Sequence, residues 1–199
     1  IKEAFNSEKY EKIYIITYNY DVFLERVLLA HNIPFDVLGI GEQNNKIQFI
    51  KPHGSISFCH KVKNDKDTYD IKRTSVLYEA EISDFEIKYE ELDENYSVYA
   101  LLPPSGDSSR LLFKWAEDIR EKEKDIMGSL TGDDKVFISG ISYWHVDRKE
   151  IDEILTRISP LSNVYMVNPN PPKVLNAVLS CIFNNYIVYT DSDDLGGLL

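Results

Sequence analysis

Cysteine is scarce in this chain. Two thiols, Cys59 and Cys181, stand among 199 residues. Two cannot build a four-cysteine zinc site, and no C-x-x-C pair is present, so no metal is expected. Sparse cysteine fits a reduced, cytoplasmic setting with both thiols as ordinary, partly buried residues. Basic charge is also short: 22 Lys and Arg face 33 Asp and Glu, a formal net charge of -11. Such a surface repels phosphate backbones, which speaks against a direct nucleic-acid role. No apolar run approaches a membrane span. Ile1 to Lys12 is mixed in charge and helix-patterned, unlike a secretory leader. The first residue is Ile rather than Met, which reads as a processed product or a piece of a longer protein. A fused partner domain or a homo-oligomer fits that reading.

What is present suits a core. Hydrophobic residues make up 43% of the chain, and the length suits one domain over 1–199. Ile13-Tyr14-Ile15-Ile16-Thr17 predicts a buried strand. Asp21 follows at an N-cap or first-turn position, ahead of a helix over 21–31 with Val22, Leu24, Val27 and Leu28 on its apolar face. Pro34 to Leu38 and Ile47 to Ile50 are short strands. The charged 61–100 region predicts a peripheral insertion of helix and loops, closed by the breaker cluster Leu101 to Gly106. Then come a long amphipathic helix over Ser109 to Met127, a strand over Val136 to Ser139, and a helix from Asp147 to Ile158. A strand over Val164 to Val167, a helix entered through Pro171-Pro172 and a last strand over Ile187 to Tyr189 complete the order. Strands alternating with helices predict an α/β fold: a Rossmann-like parallel sheet with helices on both faces.

In such sheets ligands bind beyond the carboxyl ends of the strands. Four successive strand ends carry small or polar groups: Thr17-Tyr18-Asn19-Tyr20-Asp21, Lys51-Pro52-His53-Gly54-Ser55, Gly140-Ile141-Ser142 and Asn168-Pro169-Asn170. Each group has an ordinary reading too. His53 also reads as a buried histidine satisfied by backbone. Asn19 and Asp21 also read as the turn and cap that launch the helix. Gly140 and Ser142 also suit a plain strand-to-loop exit, and Asn168 and Asn170 are good turn formers. His60 and His145 are expected on loops without a role, and Trp115 and Trp144 in packing.

Taken in order, these motifs resemble those of the sirtuins. Thr17 to Asp21 resembles the T-Q-N-I-D motif, Pro52-His53-Gly54-Ser55 the H-G motif, and Gly140-Ile141-Ser142 the G-T-S motif. Val167-Asn168 is similar to the strand-end asparagine near the adenosine ribose. T-x-N-Y-D, K-x-H-G-S and G-x-S-x-x-x-x-D with Asp147 are most like the sirtuin-like domains of bacterial defence proteins. The resemblance runs from Tyr14 to Asn170.

The resemblance implies NAD as substrate or ligand. It implies His53 as a general base on a ribose hydroxyl and Asn19 as the group that holds the nicotinamide ribose and orients a water. Asp21 would hydrogen-bond the nicotinamide end or fix the loop. Thr17 and Tyr18 would line the pocket. Gly140 would admit the dinucleotide backbone, Ser142 would touch phosphate or ribose, and Asn168 the adenosine ribose. Three departures stand out. Lys61 to Tyr99 holds no cysteine where deacylases carry a zinc module, which turns the expectation from deacylation to NAD hydrolysis. The family's glycine-rich strand–loop–helix has no counterpart, since the twelve residues before Ile13 contain no glycine. Tyr18 stands where the family has glutamine. The competing expectation is a non-catalytic sensor of NAD or ADP-ribose, or an assembly domain; a degenerate domain that binds nothing is the third.

Overall fold

Four β-branched and aromatic residues, Ile13–Ile16, form the first strand, β1. In this computed structural model β1 lies parallel to β3 (Ile47–Ile50), with Ile13 opposite Ile47 and Ile16 opposite Ile50. On its other side β3 pairs in parallel with β2 (Phe35–Val37), giving the order β1-β3-β2. The central strand is buried along its whole length: Ile47, Phe49 and Ile50 are 0% exposed. A strand covered on both faces reads as an unbroken apolar run rather than an alternation, and Ile47 to Ile50 does so apart from Gln48. The residues described are 1–63, 77–90, 92, 94, 96–102, 113–141, 143 and 148–193. Among them no helix is long and apolar enough to cross a membrane.

A short helix, α1 (Lys2–Asn6), precedes β1, and the Lys46 ammonium gathers the carbonyls of Ala4, Phe5 and Ser7 at its end. After β1 comes α2 (Phe23–Ala30). Its C-terminus closes with Asn32 at φ 55°, while the amides of Asn32 and Ile33 donate back to the carbonyls of Leu29 and Leu28. This is the Schellman arrangement, in which a left-handed residue lets two orphan carbonyls be satisfied. The buried stripe of α2 differs from the expected one. Val22, Glu25 and Leu28 face inward, while Val27 is 37% exposed and Phe23 74%.

The 61–100 region, expected as an insertion of helix and loops, also contributes short strands, which pair with a strand that ends just before it. β4 (Gly54–His60) pairs antiparallel with β5 (Phe85–Ile87) and β6 (Tyr99–Leu101), in the order β5-β4-β6. His60 therefore ends a strand rather than sitting on a loop. Phe58, Cys59 and Trp115 are 0% exposed, and Phe85 and Phe113 flank the Trp115 indole at ring-centroid distances of 6.2 and 6.1 Å. Trp115 is thus a packing residue, on the first turn of α3 (Lys114–Ser129). Residues 109–112 of the expected helix, together with His145, Trp144 and Asp147, lie outside the described residues.

By Cα proximity the chain divides into two compact units, Ile1–Lys122 and Glu123–Leu199. The second holds the parallel sheet β7-β8-β9, from β7 (Lys135–Ser139), β8 (Asn163–Val167) and β9 (Asn185–Tyr189). The helices α4 (Arg148–Leu155) and α5 (Lys173–Ile182) link these strands. Ile151, Leu155, Leu175 and Leu179 bury with Val164 and Met166. Pro172 caps α5 at its entry, as its sequence position predicts. Among the described residues the fold is α/β with two parallel sheets and one antiparallel sheet, each of three strands, where a single parallel sheet was expected.

Candidate functional site

β1 and β3 are adjacent and parallel, so their carboxyl ends open at one edge of the sheet. The backbone continues the pairing one step beyond β1, where the Thr17 amide donates to the Ile50 carbonyl at 3.0 Å. From there the two chains diverge as the Thr17–Asp21 loop and the Lys51–Gly54 turn. This divergence at the mouth of a parallel pair is where α/β proteins expose backbone and side chains to ligands.

The turn is built from its sequence. Pro52 supplies a fixed φ at the second position of a four-residue turn, and the Gly54 amide closes it on the Lys51 carbonyl at 2.9 Å. Gly54 has φ +78°, and a Cβ there would lie 1.8 Å from the Ala100 carbonyl oxygen. Only glycine fits, for conformation and for space. The close approach of β6 is fixed further by the Leu102 amide, which donates to the His53 carbonyl at 3.0 Å. The backbone of His53 is thus held on both sides.

The loop folds over the histidine. Tyr18 meets the His53 ring edge-on at a centroid distance of 4.9 Å, and the Tyr20 ring lies 6.4 Å from it, with 29° between the planes. His53 is 5% exposed. The Tyr20 carbonyl accepts from the Ile56 amide (3.0 Å) and from the Ser55 hydroxyl (3.1 Å). The Tyr20 hydroxyl donates to the Leu102 carbonyl. Ser55 therefore ties the loop to β4, a role that a serine after a glycine does not announce in sequence.

Thr17 and Asp21 serve the loop itself. The Thr17 Oγ1 accepts from the Asn19 amide at 3.2 Å, and Asp21 Oδ1 accepts from the Phe23 amide at 3.0 Å. Asp21 therefore satisfies the amide of Phe23, the first residue of α2, but from one position before the N-cap: that place, expected at Asp21, falls to Val22, which makes no side-chain cap bond. Asn19 and Asp21 are both exposed at the loop surface.

Beneath the loop lies a pair of charges that sequence reasoning did not single out. Lys51 Nζ sits 2.7 Å from Glu25 Oε1, and the two side chains are 0% and 2% exposed. The same ammonium donates to the Asp21 carbonyl at 2.5 Å. Tyr89 is close to this pair: burial, and then the Glu25 charge, push its hydroxyl well above the ordinary tyrosine range. The signal for the pair was a glutamate on the helix face that carries Val22 and Leu28, three residues from each.

The remaining predicted residues belong to the second unit. Gly140 leaves β7 with φ +69° and open space where a Cβ would be, so its conformation alone calls for glycine. Asn168 leaves β8; its Oδ1 accepts from the Asn170 amide at 2.9 Å, the local turn that asparagine favours. Ser142 lies outside the described residues. Thr17, Tyr18, Asn19, Asp21 and His53 thus share one sheet edge, while Gly140 and Asn168 share the carboxyl edge of the adjacent strands β7 and β8.

The arrangement sets a buried imidazole on the Lys51–Gly54 turn beside the two phenol rings of the Thr17–Asp21 loop, whose amide and carboxylate side chains, Asn19 and Asp21, are exposed. Among the described residues no three His, Cys, Asp or Glu side chains group as metal ligands. Comparisons with protein-family models, curated proteins and solved structures return no match.

Proposed function

We propose that this protein binds NAD and hydrolyses it at the nicotinamide–ribose bond, as its resemblance to the sirtuin-like domains of bacterial defence proteins implies. The observation that supports this reading most is the meeting of the Thr17–Asp21 loop with His53, remote in sequence, through the 4.9 Å contact of the Tyr18 and His53 rings. In this reading the sheets belong to a Rossmann-like fold with helices on both faces, and the setting is the cytoplasm.

The reaction breaks the bond between the ribose C1′ and the nicotinamide nitrogen, which leaves with the electron pair. Water adds to C1′ and gives up a proton, so that NAD and water yield nicotinamide, ADP-ribose and a proton. The transition state resembles an oxocarbenium ion, and holding the ribose while admitting one water lowers its energy. His53 takes a proton from a ribose hydroxyl as the bond to nicotinamide breaks and returns it to that oxygen once water has added, so the one proton released overall is the water's. Asn19 holds the ribose and orients the water, and Asp21 contacts the nicotinamide end. Thr17 and Tyr18 line the pocket.

Incubating the purified protein with NAD and resolving the products by chromatography tests the proposal. Nicotinamide and ADP-ribose appear in equal amounts, and His53→Ala abolishes them while circular dichroism shows the fold retained. Full turnover in that variant overturns the assignment of His53. A second reading, an NAD or ADP-ribose sensor without turnover, is favoured by the burial of His53, 5% exposed. It predicts a calorimetric binding isotherm with NAD and no released nicotinamide.

A further inference from the structure

We infer that Lys51, held by Glu25, is a positioning residue that sets the Thr17–Asp21 loop over His53. The inference rests on the proposed NAD site for its consequence in turnover, but its geometry stands by itself. Lys51 occupies the first position of the turn that carries His53 at its third. Its ammonium reaches back to two places: Glu25 Oε1 on α2 at 2.7 Å and the Asp21 carbonyl at 2.5 Å. One buried cation therefore joins the turn, the last residue of the loop and the helix that follows it.

The partners are specific in direction. An ammonium donates and cannot accept, so it suits a carboxylate and a carbonyl at once. Each group alone would be costly to bury, because a desolvated charge needs its counter-charge and hydrogen bonds. The pair is seldom the cheapest way to fill such a space; apolar residues of like volume commonly serve as well for stability. What they cannot supply is the hydrogen bond to the Asp21 carbonyl. The loop is also held at its start, where the Thr17 amide donates to the Ile50 carbonyl, and at Tyr20, through the Ser55 hydroxyl, the Ile56 amide and the Leu102 carbonyl. The Lys51 contact adds a fixed point at the loop's last residue, where it passes into α2.

Two double variants separate positioning from stability. Lys51→Met with Glu25→Leu removes both charges and fills the space. Lys51→Glu with Glu25→Lys keeps an ion pair but puts a carboxylate against the Asp21 carbonyl. Each is followed by amide hydrogen exchange, read at Ile56, whose amide donates to the Tyr20 carbonyl, and at Phe23, whose amide donates to Asp21. NAD turnover is measured on the same samples, with kcat and KM taken separately. We expect the apolar variant to keep the exchange protection of β3 but to lose it at Phe23 and Ile56. We expect kcat to fall by about a hundredfold, the scale of a misplacement near 1 Å, with KM changed far less. Protection at Phe23 and Ile56 equal to wild type in both variants overturns the inference, as does undiminished kcat beside lost protection. If the wild-type protein does not cleave NAD, the functional proposal fails, and exchange at the two amides still decides the positioning role.

Discussion

Gly54→Ala isolates the feature on which the geometry around His53 depends. At φ +78°, a left-handed conformation costs an L side chain roughly 1–2 kcal/mol. The added Cβ would also fall 1.8 Å from the Ala100 carbonyl oxygen and 2.7 Å from its carbon. Both are backbone atoms of a paired strand, so the clash is relieved only by moving β6 or the turn. Movement breaks the Leu102-to-His53 hydrogen bond, worth about 1 kcal/mol net, and loosens the packing near Trp115, whose ring lies 3.0 Å from the same point. The total is roughly 3–5 kcal/mol, a large share of the stability of an ordinary domain. Gly41 is the control: its φ is +74°, but nothing lies within 4 Å of its Cβ position, so Gly41→Ala incurs the conformational cost alone. Urea titration followed by tryptophan fluorescence reads both. With a slope of about 2 kcal/mol per molar urea, the Gly54 variant loses roughly 1.5–2.5 M in midpoint, and the Gly41 variant roughly 0.5–1 M. Equal midpoints for the two variants would refute the claim that the close approach of β6, rather than the φ angle, demands glycine before Ser55.

Glu25→Gln leaves the Lys51 ammonium buried without its counter-charge and lowers unfolding free energy by roughly 3–5 kcal/mol, whereas Glu25→Leu with Lys51→Met stays within about 2 kcal/mol of wild type; urea midpoints distinguish the two. Burial, with the nearby Glu86 carboxylate adding to it, pushes the Cys59 thiol up from 9.0 to about 11. In that window the folded state holds a proton that the unfolded state releases, so stability falls as pH rises, by up to about 1.4 kcal/mol per pH unit. Cys59→Ala flattens that alkaline slope in unfolding experiments between pH 9.0 and about 11. At neutral pH, iodoacetamide labels Cys181, which is exposed, and spares the buried Cys59 until the protein unfolds, as mass spectrometry of the tryptic peptides will show.

Where the pattern was regular, sequence and structure agree. Ile13 to Ile16 and Ile47 to Ile50 both form strands as expected, but only β3 is buried along its length, whereas β1, also expected to be buried, is half-buried at every residue; β7, β8, β9 and α5 fall within a residue or two of their expected bounds. β4 was illegible because its alternation is disguised. Ser55 and Ser57 are 0% exposed and Ile56 is 37% exposed, so the polar residues face inward and an apolar one faces out. The buried serines are affordable because their hydroxyls bond to the Tyr20 carbonyl and to each other. β5 and β6 hold three residues each, too few to show any period within a charged stretch.

The Glu25 pair failed to show for a different reason, and that reason bears on the site. A charged residue on a helix is read as a solvent face, because isolated burial of a carboxylate is costly. Its compensation stands 26 positions away, beyond any local pattern. The same holds for the contact between Tyr18 and His53 and for the Ser55 grip on Tyr20. Every bond that brings the loop onto the turn joins segments that are local only in space. Sequence names the groups at a strand end, since turn chemistry and strand period are local. The distances among those groups are set by β1 and β3 running in register, by the absent side chain of Gly54 and by a buried cation. A change at Lys51 or Gly54 therefore acts on His53 without touching it, and the strand-end motif is better understood as a supported turn than as a list of polar residues.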